Sequence, residues 1–138
     1  MHGISHTVFD TTGAFQQPGR WHFRGTRVVY AAEHVSLAVL ETLIHAGGRK
    51  MPPRAITRIH IPPAVSIESA PWMEMPDSQA FGDAWIQEAR TAVLRVPSIA
   101  VSQMESNFVF NPRHPEFLRI QHDVSTEFVF DPRFFLAI

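Results

Sequence analysis

The hydrophobic and polar positions in the first half of the chain alternate between strand-like and helix-like spacing. Residues 27–32 form a short β-prone run, and residues 34–45 then follow helical spacing until a pair of glycines ends the pattern. Residues 55–61 alternate apolar and polar side chains, which is typical of one half-exposed strand, and a pair of prolines follows. This half therefore predicts a strand that leads into a helix, and then a second strand.

The second half of the chain continues this alternation. Residues 65–68 favour another short strand, and residues 70–77 predict a proline-containing loop. Helical spacing then runs from Ser78, the predicted N-cap, to about Leu94. Residues 118–122 predict a further strand. The pattern thus places a second helix between short strands.

A six-residue pattern occurs twice near the C-terminus. Residues 108–113 read Phe-Val-Phe-Asn-Pro-Arg, and residues 128–133 read Phe-Val-Phe-Asp-Pro-Arg. Each copy predicts a strand that ends in a turn built on Asn or Asp followed by proline. Two copies do not make a repeat architecture, so we interpret them as two similar strands with the same turn chemistry.

The order of these elements predicts an α+β fold with a mixed, largely antiparallel β core and a few helices. With 138 residues, of which 45% are apolar, the chain suits a single compact domain. We expect this domain to span residues 1–138, with a loop-rich N-terminal segment over residues 1–18 and the core over residues 19–138.

Composition narrows the possible functions. Twelve basic residues against 13 acidic ones give a net charge of -1, so the positive field that direct nucleic-acid binding requires is absent. The chain has no cysteine, which excludes disulfides, thiolate zinc sites and a cysteine nucleophile. No stretch approaches the roughly 20 apolar residues of a membrane span. We therefore expect a soluble, cytoplasmic protein without membrane contacts.

Three residues stand out as candidates for chemistry. Glu41 lies among apolar neighbours in the first predicted helix, where a carboxylate needs a partner, although it could instead point along the helix edge to water. Arg20 stands between Gly19 and Trp21, and could equally be a surface cation packed on an aromatic ring. Tyr30 is the only tyrosine and could cap a pocket or belong to the core.

Other chemical signatures are missing. The eight histidines never fall into a metal-ligand spacing such as HExxH, so we expect no metal and keep a histidine-based metal hydrolase only as an alternative. Ser98 follows a proline but has no GxSxG motif around it, so it is not an evident nucleophile. No glycine-rich phosphate-binding motif of the Rossmann or P-loop type occurs.

Together, these residues resemble a known family. The sequence from Gly19 to about Arg133 contains, in order, a set of short motifs that resemble those of the RES domain family. They are Gly-Arg-Trp at 19–21, Gly-Thr at 25–26, Val-Tyr-Ala-Ala-Glu at 29–33, the helical run 37–45, Phe-Gly-Asp-Ala-Trp at 81–85, Leu-Arg-Val-Pro-Ser at 94–98 and the run 107–115. An ordered set of this length is more specific than any single motif.

The resemblance implies a fold and an activity. The family takes its name from an Arg, a Glu and a Ser, which fall here on Arg20, Glu41 and Ser98. Its fold is similar to that of ADP-ribosyltransferases of the diphtheria-toxin kind, and its members consume NAD+. Arg20, Tyr30 and Glu41 would take the places of the His, Tyr and Glu of that superfamily. The side chains that the resemblance implies for NAD+ binding are Arg20, Trp21, Tyr30, Ser98 and Asn107.

A mechanism follows from these residue types. Breaking the nicotinamide–ribose bond passes through an oxocarbenium-like state, which a carboxylate such as that of Glu41 stabilises. We expect Arg20 to bind a phosphate or ribose oxygen, and Tyr30 to stack on nicotinamide. Ser98 would orient Glu41 or Arg20. The acceptor of ADP-ribose could be water, phosphate or a protein.

The resemblance also implies a partner. Family members are typically toxins of bacterial toxin–antitoxin pairs, whose antitoxins carry an Xre-like helix-turn-helix. One departure is that members usually carry another Arg upstream of the Gly-Arg-Trp motif, whereas residues 1–19 contain none. Either the start of the chain is truncated, or this member grips NAD+ differently. The alternative function is a catalytically silent nucleotide-binding or regulatory module that acts with a DNA-binding antitoxin.

Overall fold

The computed structural model describes residues 1–136 of the chain, and short strands alternate with helices along them. The α-helices are α1 (Thr12–Gln16), α2 (Val35–Ala46) and α3 (Asp77–Gln87). The strands are β1 (Val29–Ala32), β2 (Arg54–Ile56), β3 (Ile59–His60), β4 (Ile67–Ser69), β5 (Val93–Pro97), β6 (Ser106–Phe110), β7 (Gln121–His122) and β8 (Thr126–Phe128). Short 3-10 turns span Ile99–Val101, Pro115–Arg119 and Pro132–Phe135.

The main sheet has four strands in the order β1-β6-β5-β4. All neighbours in it are antiparallel except β4 and β5, which run parallel. Two smaller antiparallel sheets pair β2 with β8 and β3 with β7. The predicted α+β fold with a mixed, largely antiparallel β core is therefore confirmed.

The main sheet is covered on both faces. Tyr30 and Leu94 both lie opposite Val109 in the register, so their side chains share one face. Val109 packs there with Trp21 and Trp85, so we call this side the tryptophan face. The alternate positions Val29, Val93 and Phe110 belong to a second buried cluster, which also contains Val65, Ala92 and Ile120 from outside the strands. The sheet thus divides the core into two apolar layers.

Helix α3 approaches the segment around Trp21 very closely. A Cβ atom added to Gly82 would overlap the backbone carbonyl of Trp21, so the helix needs a glycine at this position. The hydroxyl of Ser78 donates a hydrogen bond to the backbone oxygen of Arg20. Ser78 therefore lies inside the first turn of α3 and ties it to the Arg20 segment, and the predicted N-cap role is wrong because Pro76 occupies that position.

The predicted second helix is too long. It ends at Gln87, and residues 93–97 form β5 instead. Ala89 adopts a left-handed φ of 49°, which stops the helix where the sequence shows neither glycine nor proline. Ser98 consequently follows a strand and not a helix. The fully buried run from Ala92 to Leu94 suits a central strand as well as a helix, which explains the error.

Two further predictions need correction. Residues 55–61 form two strands in different sheets, and Thr57 and Arg58 separate them. Residues 118–122 form the end of a 3-10 turn followed by the two-residue strand β7. Such short strands depend on partners that lie far away in the sequence, and periodicity does not reveal them.

The N-terminal segment is more ordered than predicted. It contains α1, and His2 forms an antiparallel bridge with Ala55 of β2. The two predicted turns after the repeated six-residue pattern are confirmed, because the side-chain oxygens of Asn111 and Asp131 each accept the N–H of the residue two positions later. Among residues 1–136, no helix combines the length and the hydropathy that crossing a bilayer requires.

Candidate active site

Glu41 lies on α2, the helix that directly follows β1. Gly47 ends this helix in a left-handed conformation, so the glycine pair predicted as the stop does act at the C-cap. The Glu41 side chain is half-buried, and its Oε1 accepts hydrogen bonds from the Ser98 hydroxyl at 2.7 Å and from Asn107 Nδ2 at 2.9 Å. Glu41 is therefore fixed by protein donors and does not simply point to water. We call these three residues the Glu41 cluster.

The main sheet brings the two donors to Glu41. Val96 of β5 lies opposite Asn107 of β6, and Ser98 follows Val96 by two residues. The Ser98 and Asn107 side chains consequently leave the same face of the sheet. Of the two roles predicted for Ser98, the structure places its hydroxyl on Glu41. Among the described residues, Glu41 Oε2 accepts no side-chain hydrogen bond, so this oxygen is open to a ligand.

Tyr30 belongs to a second hydrogen-bonded group. Its hydroxyl lies 2.6 Å from Nδ1 of His22 and accepts the Trp21 N–H at 3.2 Å. We call Tyr30, His22 and Trp21 the Tyr30 cluster. Gly19 allows this arrangement, because a Cβ atom there would lie 2.7 Å from the Tyr30 hydroxyl and 2.8 Å from the His22 ring. The glycine of the Gly-Arg-Trp motif thus makes room for the Tyr30 hydroxyl.

The environment of the Tyr30 hydroxyl holds it in the neutral form. Burial of the hydroxyl raises the pKa of Tyr30 above its ordinary value, and the carboxylate of Asp83 adds to this rise, while the hydrogen bond from Trp21 opposes it. The residue as a whole remains partly accessible, since it is 37% exposed. With the hydroxyl buried, the ring and the backbone are the parts of Tyr30 that a ligand can contact.

The two clusters project from the same side of the main sheet. Tyr30 lies opposite Val109, and Ala32 lies opposite Asn107, two residues away on each strand. Side chains two residues apart share a face, so Tyr30 and Asn107 both project from the tryptophan face. The fold thereby brings the predicted residues on β1, α2, β5 and β6 to one side.

Arg20 and Trp21 occupy different environments. The Arg20 guanidinium stacks over the Trp72 ring at 5.2 Å from its centroid, and no hydrogen bond or ion pair within residues 1–136 joins it to Glu41 or Tyr30. Trp21 is only 2% exposed and packs edge-on against Phe81. Burial leaves the indole little surface for a ligand, and its predicted contact with NAD+ stays a prediction.

A cavity of about 700 Å³ lies beside the free edge of β1, between the main sheet and the strands β2 and β3. Its lining includes Tyr30, the exposed cation Arg58 and the apolar ring of Phe108. The Glu33 N–H donates to a backbone oxygen of β6. In an antiparallel pair, the backbone groups of successive residues point alternately toward the partner strand and away from it. The backbone groups of Tyr30, three residues earlier, therefore point away from β6 and toward this cavity. The cavity lining among the described residues does not include Glu41, Ser98, Asn107 or Arg20.

His22 was missed by the sequence analysis. It is 2% exposed, and its Nε2 lies 2.8 Å from the Ala14 carbonyl oxygen and 2.9 Å from that of Gln17. The one available signal was its position between two aromatic residues, Trp21 and Phe23, in the Gly-Arg-Trp segment. A buried histidine with three polar neighbours is held in one orientation.

One group of possible metal ligands lies near the end of β1. Ligand atoms of Glu33, His34 and Glu105 fall within 4.8 Å of one another. His34 hydrogen-bonds to Glu105 at 2.9 Å, and Glu33 pairs with Arg95 at 3.3 Å. These exposed side chains are thus already partnered by protein groups, which accounts for their proximity. We assign no metal to them.

The comparison with protein families identifies the chain. The family model of the RES domain matches residues 2–131. The chain belongs to the RES domain family. The family predicted from the ordered motifs is therefore confirmed, and the match also includes most of the N-terminal segment ahead of Gly19.

Curated relatives of this RES chain are toxins by name. It is 36% identical over 134 residues to the "Prs ADP-ribosylating toxin" of Sphingobium sp. (strain YBL2), covering 88% of this chain and 83% of that protein. It is 33% identical over 117 residues to "Toxin Res" of Pseudomonas putida, covering 76% and 78%. It is 34% identical over 121 residues to "Toxin Res" of Photorhabdus laumondii, covering 80% and 77%.

Proposed function

We propose that this RES protein is a toxin that cleaves the nicotinamide–ribose bond of NAD+ and transfers ADP-ribose to a protein, to water or to phosphate. The observation that carries the proposal is the Glu41 carboxylate, which Ser98 and Asn107 hold by one oxygen while the other stays open. The Sphingobium relative, named an ADP-ribosylating toxin, supports the same reaction class.

The chemistry requires a fixed negative charge. As the bond between the ribose C1′ and the nicotinamide nitrogen breaks, its electron pair leaves with nicotinamide and positive charge develops on the ribose. Glu41 Oε2 stabilises this charge or accepts a hydrogen bond from a ribose hydroxyl. Ser98 and Asn107 keep the carboxylate in place, so it needs no reorganisation during the reaction. The acceptor oxygen or nitrogen then bonds to C1′ and releases its proton to the surrounding groups.

The rest of the substrate fits the surroundings. The cavity of about 700 Å³ beside β1 would hold the part of the dinucleotide that lies away from Glu41, since its lining within residues 1–136 does not include Glu41, Ser98 or Asn107, and its volume lies within the range of roughly 300–1,000 Å³ that small-molecule sites occupy. The accessible ring of Tyr30 stacks on nicotinamide, and the exposed guanidinium of Arg58 contacts the pyrophosphate. Arg20 binds a phosphate or ribose oxygen, since stacking on Trp72 uses the face of its guanidinium and leaves the N–H edge for an acceptor.

We assign this protein a partner on the basis of its family resemblance. An Xre-like helix-turn-helix antitoxin would cover the NAD+ site, and the pair would act in the cytoplasm. Cells that make the intact protein alone are expected to grow poorly, whereas cells that also make the antitoxin grow normally. Normal growth with the active protein alone would contradict the toxin assignment.

The proposed activity is tested by measuring nicotinamide released from NAD+. Purified protein is compared with Glu41→Gln, in which one charge is removed, and with Glu127→Gln, which changes an exposed glutamate on β8. We expect Glu41→Gln to lower the rate on the order of 100-fold to 1,000-fold, because it removes a preorganised electrostatic group, and Glu127→Gln to have no effect. Separate reactions with phosphate and with cell lysate identify the acceptor.

Two outcomes would overturn the proposal. Turnover by Glu41→Gln at the wild-type rate would show that the carboxylate is not the stabilising group. No nicotinamide release by folded protein free of antitoxin, together with measurable NAD+ binding, would instead indicate the silent nucleotide-binding module.

A further inference from the structure

The hydrogen bonds of His22 determine which ring nitrogen carries the proton. Nε2 lies near two backbone carbonyl oxygens, those of Ala14 and Gln17. Carbonyl oxygens only accept hydrogen bonds, so Nε2 must be the protonated nitrogen. The ring is almost fully buried, and within residues 1–136 it forms no ion pair. In the neutral ring, Nδ1 is therefore an acceptor.

This tautomer fixes the direction of the hydrogen bond to Tyr30. The Tyr30 hydroxyl lies 2.6 Å from Nδ1 and must donate to it, while its oxygen accepts the Trp21 N–H. The single hydroxyl hydrogen is thus used inside the protein. Asp83, whose Oδ1 accepts the Phe23 N–H, is the charged group that also influences this hydroxyl.

We propose that His22 is a positioning residue that binds the Tyr30 hydroxyl as an acceptor, so that Tyr30 presents its ring and not its hydroxyl to the nicotinamide of NAD+. The role of His22 toward Tyr30 follows from the hydrogen bonds alone. The part that concerns nicotinamide rests on the proposed function. In this arrangement the Tyr30 hydroxyl donates its hydrogen bond to His22 and gives no proton to the substrate, nor does it bind a substrate oxygen. The imidazole of His22 sets the tilt of the Tyr30 ring.

The tautomer is tested by nitrogen NMR of the ¹⁵N-labelled protein near neutral pH. The His22 signals are assigned by their absence in His22→Asn. We expect a protonated Nε2 and an unprotonated Nδ1, and we expect Tyr30→Phe to shift the Nδ1 signal and to leave Nε2 protonated. A proton on Nδ1 would overturn the proposal, because Nδ1 would then donate to Tyr30 and the hydroxyl would be free to reach the substrate.

Kinetics test the positioning role with a rescue variant. Asparagine places an amide oxygen near the position of Nδ1, so His22→Asn still accepts from Tyr30, whereas His22→Leu leaves the hydroxyl without an acceptor. We expect His22→Leu to raise the KM for NAD+ about tenfold with a smaller change in kcat, and His22→Asn to restore most of the loss. Equal kinetic constants in the two variants would overturn the proposal.

The two tests separate the inference from the proposed function. If the wild-type protein releases no nicotinamide, the proposed function fails, and the NMR measurement still decides the role of His22. If His22→Leu does not fold, the comparison of His22→Asn with the wild type decides the kinetic part: asparagine should keep KM within about threefold, and a larger rise would contradict the acceptor role.

Discussion

The Glu41 cluster and the Tyr30 cluster lie on the same face of the main sheet but use their polar atoms in opposite ways. In the Glu41 cluster, two side-chain donors converge on one carboxylate oxygen and leave the other open. In the Tyr30 cluster, the hydroxyl and both imidazole nitrogens already have protein partners. The first cluster can thus bind a ligand through a polar atom, whereas the second offers shape and an apolar surface.

The largest expected effect is that of Gly82→Ala, which acts on the backbone of Trp21 in the Tyr30 cluster. The added Cβ atom would overlap the Trp21 carbonyl, and a helix and a buried backbone segment must separate to make room. We expect the free energy of unfolding to fall by about 3 kcal/mol or more, measured by urea denaturation. Gly13→Ala is the matched control, since a Cβ on this glycine of α1 meets open space. Equal stability of the two variants would contradict the close contact.

The next largest effect is expected in the Glu41 cluster itself. Ser98→Ala and Asn107→Ala should each lower kcat about tenfold, and the double variant about 100-fold or less if the two donors act together. The measurement is nicotinamide release, and Ser36→Ala on the exposed side of α2 is the control. A double variant that retains the wild-type kcat would show that the orientation of the carboxylate does not matter.

A smaller effect is expected at Arg58, which lines the cavity but belongs to neither cluster. Arg58→Ala should raise the KM for NAD+ about tenfold with little change in kcat, because a charged hydrogen bond to the pyrophosphate is lost. Arg24→Ala, an exposed arginine outside the cavity lining, provides the control. Titration calorimetry with ADP-ribose checks the same contact without chemistry. Unchanged affinity would remove Arg58 from the site.

The smallest effect is expected for Tyr30→Phe, because it keeps the ring and removes a hydroxyl that the protein uses internally. We expect kcat/KM for nicotinamide release to fall by no more than about tenfold, as in His22→Leu, because the ring loses the same hydrogen bond, while Tyr30→Leu lowers it further through loss of the aromatic surface. A loss near 100-fold in Tyr30→Phe would mean that the hydroxyl takes part in the reaction. It would also mean that both clusters, and not only the Glu41 cluster, act on the ligand through a polar atom.

The sequence predicts β1 and α2 within two residues, because the change of period and the glycine pair are both strong signals. It fails at the end of α3, where Ala89 takes a left-handed conformation that no residue type announces. The repeated six-residue pattern shows the same limit. Its turns are local and were predicted, whereas Val109 is fully buried and Val129 is exposed, and this difference depends on the neighbouring strands.

The sequence predicts some features of the candidate site and not others, because the missing ones depend on contacts between distant residues. The sequence suggested that Ser98 would orient Glu41 or Arg20, and the Ser98 hydroxyl donates to Glu41. The sequence allowed for Arg20 packing on an aromatic ring, but the ring is that of Trp72, more than 50 positions away, and no local pattern indicates this partner. His22 resembles an ordinary core histidine in the sequence, and only the carbonyl oxygens around Nε2 reveal its tautomer.

The pairing of Glu41 with distant donors has a consequence for how the protein is made. Ser98 lies 57 residues after Glu41, and Asn107 lies 66 residues after it. Synthesis at roughly 5–20 residues per second separates these residues by several seconds. A ribosome that stops before Ser98 therefore releases a fragment that carries Glu41 without its two donors and without β6. The Glu41 carboxylate gains both donors only after synthesis has passed Asn107, so the candidate site is completed late in translation.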